Sequence, residues 1–205
     1  PAATLARLID KADEFGFVIA DDECYSEIHF DEAAPPVGLL EACARLGRHD
    51  YRRCVVFNSL SKRSNLPGLR SGFVAGDADV LAAFLKYRTY HGCALPGSTQ
   101  AASVAAWSDE THVRANRALY RAKLDAVLDA LAPALDVPRP EAGFFLWPRV
   151  PGDDARYAQR LYAQEHVTVL PGSYLARDTA AGNPGAGRVR IALVAPLADC
   201  TEAAI

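Results

Sequence analysis

Between Thr4 and Glu14 the apolar residues Leu5, Leu8, Ile9 and Ala12 recur at three- and four-residue steps, the spacing of one helix face, with Thr4 placed to cap it and Gly16 to stop it. Phe17-Val18-Ile19-Ala20 then runs apolar without alternation, as a strand buried on both faces does, and ends abruptly at Asp21-Asp22-Glu23. The pattern repeats. A helical stretch over Leu39–Leu46 is broken by Gly47, and Cys54-Val55-Val56-Phe57 forms a second buried strand that ends in Asn58-Ser59. A third, Ser71–Ala75, closes on Gly76-Asp77. Helices alternating with short apolar strands predict an α/β layered fold with a mainly parallel sheet.

The texture changes after Asp77. Helices are predicted over Ala78–Tyr90 and Ser98–Trp107, followed by a long amphipathic pattern from Asp109 to Leu131 in which Val113, Arg117, Tyr120, Leu124, Val127 and Leu131 share one stripe. Pro133 and Pro138 close it. The remainder reads as strand Gly143–Trp147, helix Asp153–Glu165, strand Val167–Leu170, a Gly/Pro-rich loop over Ala180–Gly187, strand Arg188–Val194 and a last helix from Pro196. The expected organisation is therefore a large-domain portion over 1–108 and a smaller α+β domain over 109–205, with the long helix as the bridge.

Composition narrows the function classes. A net charge of −3 offers no electrostatic case for nucleic acid or an anionic membrane. No apolar run approaches the ~18–20 residues of a membrane span, and the start has no signal-like pattern. The five cysteines are widely spaced with no CxxC, and the five histidines are scattered, so reduced thiols in a cytoplasmic protein are expected and a metal site is not. The sequence has no methionine and opens on Pro1-Ala2-Ala3, from which a truncated piece of a longer chain is expected.

The residues that could carry chemistry lie just past the carboxyl ends of the buried strands, where open α/β sheets bind ligands. Asp22 and Tyr25 follow the first strand, Ser59-Leu60-Ser61-Lys62 the second, and Arg70 precedes the third. A pyridinium aldehyde with a phosphate tail needs this set. Lys62 supplies an amine for an imine, and Asp22 a carboxylate to keep the ring nitrogen protonated. Tyr25 is a donor for the phenolic oxygen, and Ser59, Ser61 and Arg70 are donors for the phosphate. Each residue alone has an ordinary reading: a solvated lysine, a turn aspartate, a core-edge tyrosine, a surface arginine. Their shared placement argues for one ligand.

Residues 59–72 (SLSKRSNLPGLRSG), with their Ser-x-Ser-Lys core and an Arg eight positions on, resemble the pyridoxal 5′-phosphate (PLP) lysine segment of class I/II aminotransferases, and Asp22-Glu23-Cys24-Tyr25 resembles the family's upstream Asp-x-x-Tyr. Val167–Ser173 and Gly187–Val194 are similar to the family's small-domain segments, and Gly143-Phe144-Phe145 to a strand near the substrate pocket. The resemblance implies a fold type I PLP enzyme, Lys62 as Schiff-base lysine, Asp22 as its catalytic carboxylate partner, and Arg190 as the substrate α-carboxylate site, with Arg188 ranked below it. Within the family, residues 22–30 (DECYSEIHF), the Lys62 block and residues 87–94 look closest to proteobacterial succinyldiaminopimelate aminotransferases.

That similarity implies amino transfer from glutamate to N-succinyl-2-amino-6-oxoheptanedioate in lysine biosynthesis. The partners would be small amino and keto acids, and the full-length protein would be a homodimer. Only the later half of a family chain is matched, so the site and the dimer surface are expected to be incomplete here, and the chain poorly soluble and inactive by itself. Two rivals stay open: another PLP chemistry on the same fold, such as aspartate or aromatic amino transfer or C–S lysis, and a non-catalytic aminotransferase-like regulator domain.

Overall fold

The computed structural model describes residues 2–92 and 94–205; Pro1, and Cys93 within the 87–94 segment, lie outside the described residues. The chain divides into two compact units, Pro1–Asn116 and Arg117–Ile205.

The first unit opens with α1 (Ala2–Phe15), β1 (Ile19–Asp22), α2 (Leu39–Arg45) and β2 (Cys54–Ser59). A one-turn helix, α3 (Leu60–Arg63), and a 3₁₀ turn at Pro67–Leu69 lead into β3 (Gly72–Gly76). Then come α4 (Ala78–Tyr90), α5 (Gly97–Trp107) and the start of α6 (Thr111–Leu131), which continues into the second unit. The strands pair in the order β1-β2-β3. β1 and β2 are parallel, with Ile19 opposite Cys54 and Asp22 opposite Phe57. β3 runs antiparallel to β2, with Ser59 opposite Gly72, so this sheet is mixed where mainly parallel pairing was expected. The reason is the link over 60–71, which makes only tight turns and returns the chain to the strand end it left. A parallel neighbour needs a crossover that carries the chain back along the sheet.

β1 sits two residues later than the apolar run predicts. Phe17 and Val18 are partly exposed and precede the strand, while pairing to β2 carries the ladder through Asp21 and Asp22. Asp22 is thus the final residue of β1. Ile9 and Ala12 of α1, Leu39 and Cys43 of α2 and Val56 of β2 pack into one core, each large side chain contributing about 1.5–3 kcal/mol on burial. Gly76 (φ 135°) is required where it stands, because a Cβ there would lie 2.0 Å from the Cys54 carbonyl oxygen across the ladder.

In the second unit, Tyr120, Leu124 and Val127 of α6 are buried, and Tyr120 stacks on Phe144 with ring centres 5.0 Å apart. The strands β4 (Phe145–Leu146), β5 (Leu170–Pro171) and β6 (Val189–Ala192) are short, antiparallel and ordered β4-β6-β5, with α7 (Asp154–Glu165) and α8 (Leu197–Glu202) completing the unit. Val150, Ala158, Val169 and Val189 form its core. Asp154, only 4% exposed, accepts the amide hydrogens of Ser173 (2.8 Å) and Gly187 (3.4 Å), joining the first turn of α7 to both ends of the connection between β5 and β6. Among the described residues no helix is long and apolar enough to cross a membrane.

Candidate active site

The parallel pair β1 and β2 ends at Asp22 and Ser59, and the predicted chemistry gathers there. Past Asp22 the chain turns at once. The Asp22 carboxylate accepts the Cys24 amide hydrogen at 3.1 Å, and bonding from the Cys24 side chain and amide holds its carboxyl below the usual aspartate value. Asp22 is exposed at the strand end and ionised at neutral pH. Burial, reinforced by the bond to Asp22 and its negative charge, pushes the Cys24 thiol up to about 11, against the opposing pull of the Lys62 ammonium. Lys62 is therefore close enough to Cys24, the neighbour bonded to Asp22, to act on it electrostatically. Its ammonium also lies 5.7 Å from the centre of the Tyr25 ring, within cation–π range.

Ser59 does two jobs. It ends β2 and caps α3, its hydroxyl oxygen accepting the Ser61 amide hydrogen at 3.1 Å. The same hydroxyl lies 2.9 Å from the Ser61 hydroxyl and 3.2 Å from the Ser71 carbonyl. Two hydroxyls therefore stand side by side at a strand end, one residue from Lys62. Arg70 occupies a left-handed conformation (φ 53°) at the end of the 3₁₀ turn, and its guanidinium donates to the Pro67 carbonyl at 2.8 Å. It shares the link with Lys62, but its charge is turned onto that carbonyl and is exposed to solvent. Asp22, Tyr25, Lys62, Ser59 and Ser61 are thus grouped at one end of the sheet, with Arg70 on the adjoining turn.

Arg190 belongs to the second unit. It lies on β6 opposite Leu170, with its guanidinium 4.7 Å from the Phe145 ring centre. Arg188, two residues earlier, donates to the Trp147 carbonyl at 2.9 Å. That bond commits Arg188 to the fold of its own unit.

Residues that were not nominated as part of the site brace this region. Glu23 accepts the Leu39 amide hydrogen at 2.8 Å with one carboxylate oxygen and the Asn58 amide at 3.2 Å with the other, fastening the end of β1 to the end of β2 and to the start of α2. Arg63, 4% exposed, pairs with Glu110, donates to the Ala106 carbonyl at 2.9 Å and stacks on Trp107. Partners so far apart in sequence leave no local signature. Glu23 and Asn58 had one, as polar residues ending buried strands.

A mixed α/β sheet with a lysine, a carboxylate, a phenol and paired hydroxyls at its strand ends is the arrangement expected of the PLP-transferase class. The comparisons agree: the family model "Aminotransferase class I and II" matches residues 1–204, and the chain belongs to that family. An aminotransferase structure from Neisseria meningitidis is 53% identical, covers 100% of this chain and 52% of its own, and superposes with a TM-score of 0.93. An LL-diaminopimelate aminotransferase of Nitratidesulfovibrio vulgaris is 31% identical over 99% of this chain and 50% of its own. The structure of a protein described as a probable N-succinyldiaminopimelate aminotransferase, from Thermus thermophilus, is 28% identical, covers 100% of this chain and 52% of its own, and gives a TM-score of 0.80. The chain spans about half the length of the curated relatives it matches. The cofactor of this family is pyridoxal 5′-phosphate. The residues present fit it, with an amine 5.7 Å from a phenol ring, an ionised carboxylate at the same strand end and two hydroxyls 2.9 Å apart.

Proposed function

We propose that the protein containing this chain is a PLP-dependent aminotransferase acting on diaminopimelate-type substrates, with glutamate as amino donor and N-succinyl-2-amino-6-oxoheptanedioate as acceptor. The observation that carries the reading is the grouping of Lys62, Tyr25 and Asp22 at the ends of two parallel strands.

Bound PLP supplies a protonated ring that accepts the electron pair of a substrate Cα–H bond. Lys62 would hold the cofactor through its amine and, once free, would be the base for the substrate Cα proton. Asp22, already ionised by its bonds to Cys24, holds the proton on the ring nitrogen. Tyr25 donates to the phenolic oxygen. Ser59 and Ser61 present hydroxyls to the phosphate, and Arg70 joins them when its guanidinium leaves the Pro67 carbonyl for a more strongly charged acceptor. Arg190 takes the substrate α-carboxylate, the role Arg188 cannot fill while it bonds to Trp147. Asp22, Tyr25, Ser59, Ser61, Lys62 and Arg70 are the proposed cofactor residues of the first unit and Arg190 the proposed substrate residue of the second, in a cytoplasmic homodimer whose remaining site residues lie outside this chain.

Two neighbours support the substrate class, one described as a probable N-succinyldiaminopimelate aminotransferase and one as an LL-diaminopimelate aminotransferase. The second makes the unsuccinylated compound the competing substrate. The test is an absorbance scan of the complete protein with PLP, wild type against Lys62→Ala. A visible-edge band that depends on Lys62 is expected, and its persistence in the variant would end the reading. Glutamate formation from 2-oxoglutarate with N-succinyl-LL-diaminopimelate, against LL-diaminopimelate, then separates the two substrates.

A further inference from the structure

The segment that carries Lys62 cannot hold its own shape. α3 is four residues long, far below the length at which a helix is stable alone, and the 3₁₀ turn that follows adds little. Its restraint comes from outside, from the junction of α5 and α6. Asn116 on α6 donates its side-chain amide to the Lys62 carbonyl at 3.2 Å. One helical turn earlier, His112 places Nε2 2.8 Å from the buried Ser64 hydroxyl, and its Nδ1 bonds the Asp109 carboxylate. Positions i and i+4 share one face of a helix, so both contacts come from the same side of α6. Asp109 also accepts the amide hydrogens of Thr111 (3.2 Å) and His112 (3.1 Å), which anchors the start of α6 and fixes the His112 ring.

Ser64, His112 and Asp109 have the connectivity of a nucleophile, base and acid. Ser64 is 8% exposed, however, and its hydroxyl is enclosed by His112 and by the Arg63 guanidinium at 3.4 Å, so no substrate carbonyl can reach it. The trio works as a tether.

We propose that His112 and Asn116 are positioning residues for Lys62, Asn116 holding the Lys62 carbonyl within α3 and His112 the Ser64 hydroxyl just after it, so that the Lys62 amine is held in register with Asp22 and Tyr25. This rests on the reading of Lys62 as the cofactor lysine. A lysine side chain has four rotatable bonds, so an unrestrained backbone would spread its amine over several ångströms, and a misplacement of ~1 Å can cost about 100-fold in rate.

The experiment uses the complete protein loaded with PLP. His112→Ala and Asn116→Ala are compared with Arg114→Ala, an exposed residue on the same helix that touches none of these groups. In the first two, kcat is expected to fall tenfold or more with KM for glutamate unchanged, and the pH midpoint of the Lys62-dependent absorbance band to move by at least half a unit. Arg114→Ala is expected to move neither. Ser64→Ala deletes one hydroxyl without touching α6, and it must reproduce the His112→Ala result even if the helix variants fold poorly. Thermal destabilisation with kcat and band midpoint unchanged would assign these residues to the fold alone and overturn the proposal. A band that survives Lys62→Ala would overturn the reading of Lys62, and this proposal with it, so the two failures are distinguishable.

Discussion

Asp22 and Cys24 show how two adjacent groups set each other's chemistry. The bonds from Cys24 depress the Asp22 carboxyl, which therefore contributes stability above the ordinary aspartate pKa of about 4 and loses it as pH falls through the lower folded value. Between pH 5 and 9 Asp22 does not titrate, so activity in the acid limb is expected to follow other groups. The Cys24 thiol, at about 11 against an ordinary 9.0, carries roughly 100-fold less thiolate at neutral pH. Its alkylation by iodoacetamide is expected to be slower by about that factor than that of an exposed cysteine, and Asp22→Asn is expected to speed it by removing the neighbouring charge. Peptide mass spectrometry over a labelling time course reads both, and unchanged labelling in the variant would refute the coupling.

Among the elements, α4 is held at its start by a single residue. Asp77, 8% exposed, caps the helix through the amide hydrogens of Asp79 (2.8 Å) and Val80 (3.1 Å) and also accepts the Arg53 amide hydrogen at 2.6 Å. That last amide belongs to a left-handed residue (φ 62°) at the entrance to β2. Asp77→Ala is expected to cost about 2 kcal/mol at pH 7 by chemical denaturation. The bonds that depress the Asp77 carboxyl, led by the Arg53 amide, make this contribution pH-dependent in one direction. The gap between wild type and variant narrows as pH falls below about 4. In the second unit, Gly172 and Gly185 approach so closely that a Cβ on Gly172 would lie 2.2 Å from the Gly185 carbonyl oxygen and 2.8 Å from that of Arg188. Gly172→Ala is expected to destabilise by about 1–3 kcal/mol or more, with the denaturation midpoint as the readout.

At the scale of the whole chain, α4 and α5 stand out. α4 is apolar around most of its circumference yet has no buried residue, with Leu85 70% and Tyr90 88% exposed, and on α5 Val104 is 66% exposed. Helices of that composition are built to be covered. The 205-residue chain expressed alone is expected to bind a hydrophobic dye strongly and to self-associate as its concentration rises. A monomer by sedimentation that leaves the dye dark would refute this.

Much of this was legible in the sequence. Element positions followed from apolar periodicity because burial repeats every 3.6 or two residues, and α4 matched its predicted bounds to the residue. Lys62, Asp22, Tyr25, Ser59 and Ser61 could be nominated because strand ends and motif spacing are local properties of the chain. Register was not local: where β1 begins and ends depends on its ladder with β2, and β3 runs antiparallel because of how the 60–71 link turns. Nor could sequence reveal that Arg70 rests on the Pro67 carbonyl, that Arg188 is committed to Trp147, or that His112 and Asn116 grip the Lys62 turn. The sequence by itself determined which residues could be nominated to carry chemistry. The tertiary structure alone decided what holds them, because a hydrogen bond between residues some fifty positions apart is set by packing and leaves no periodic trace in the chain.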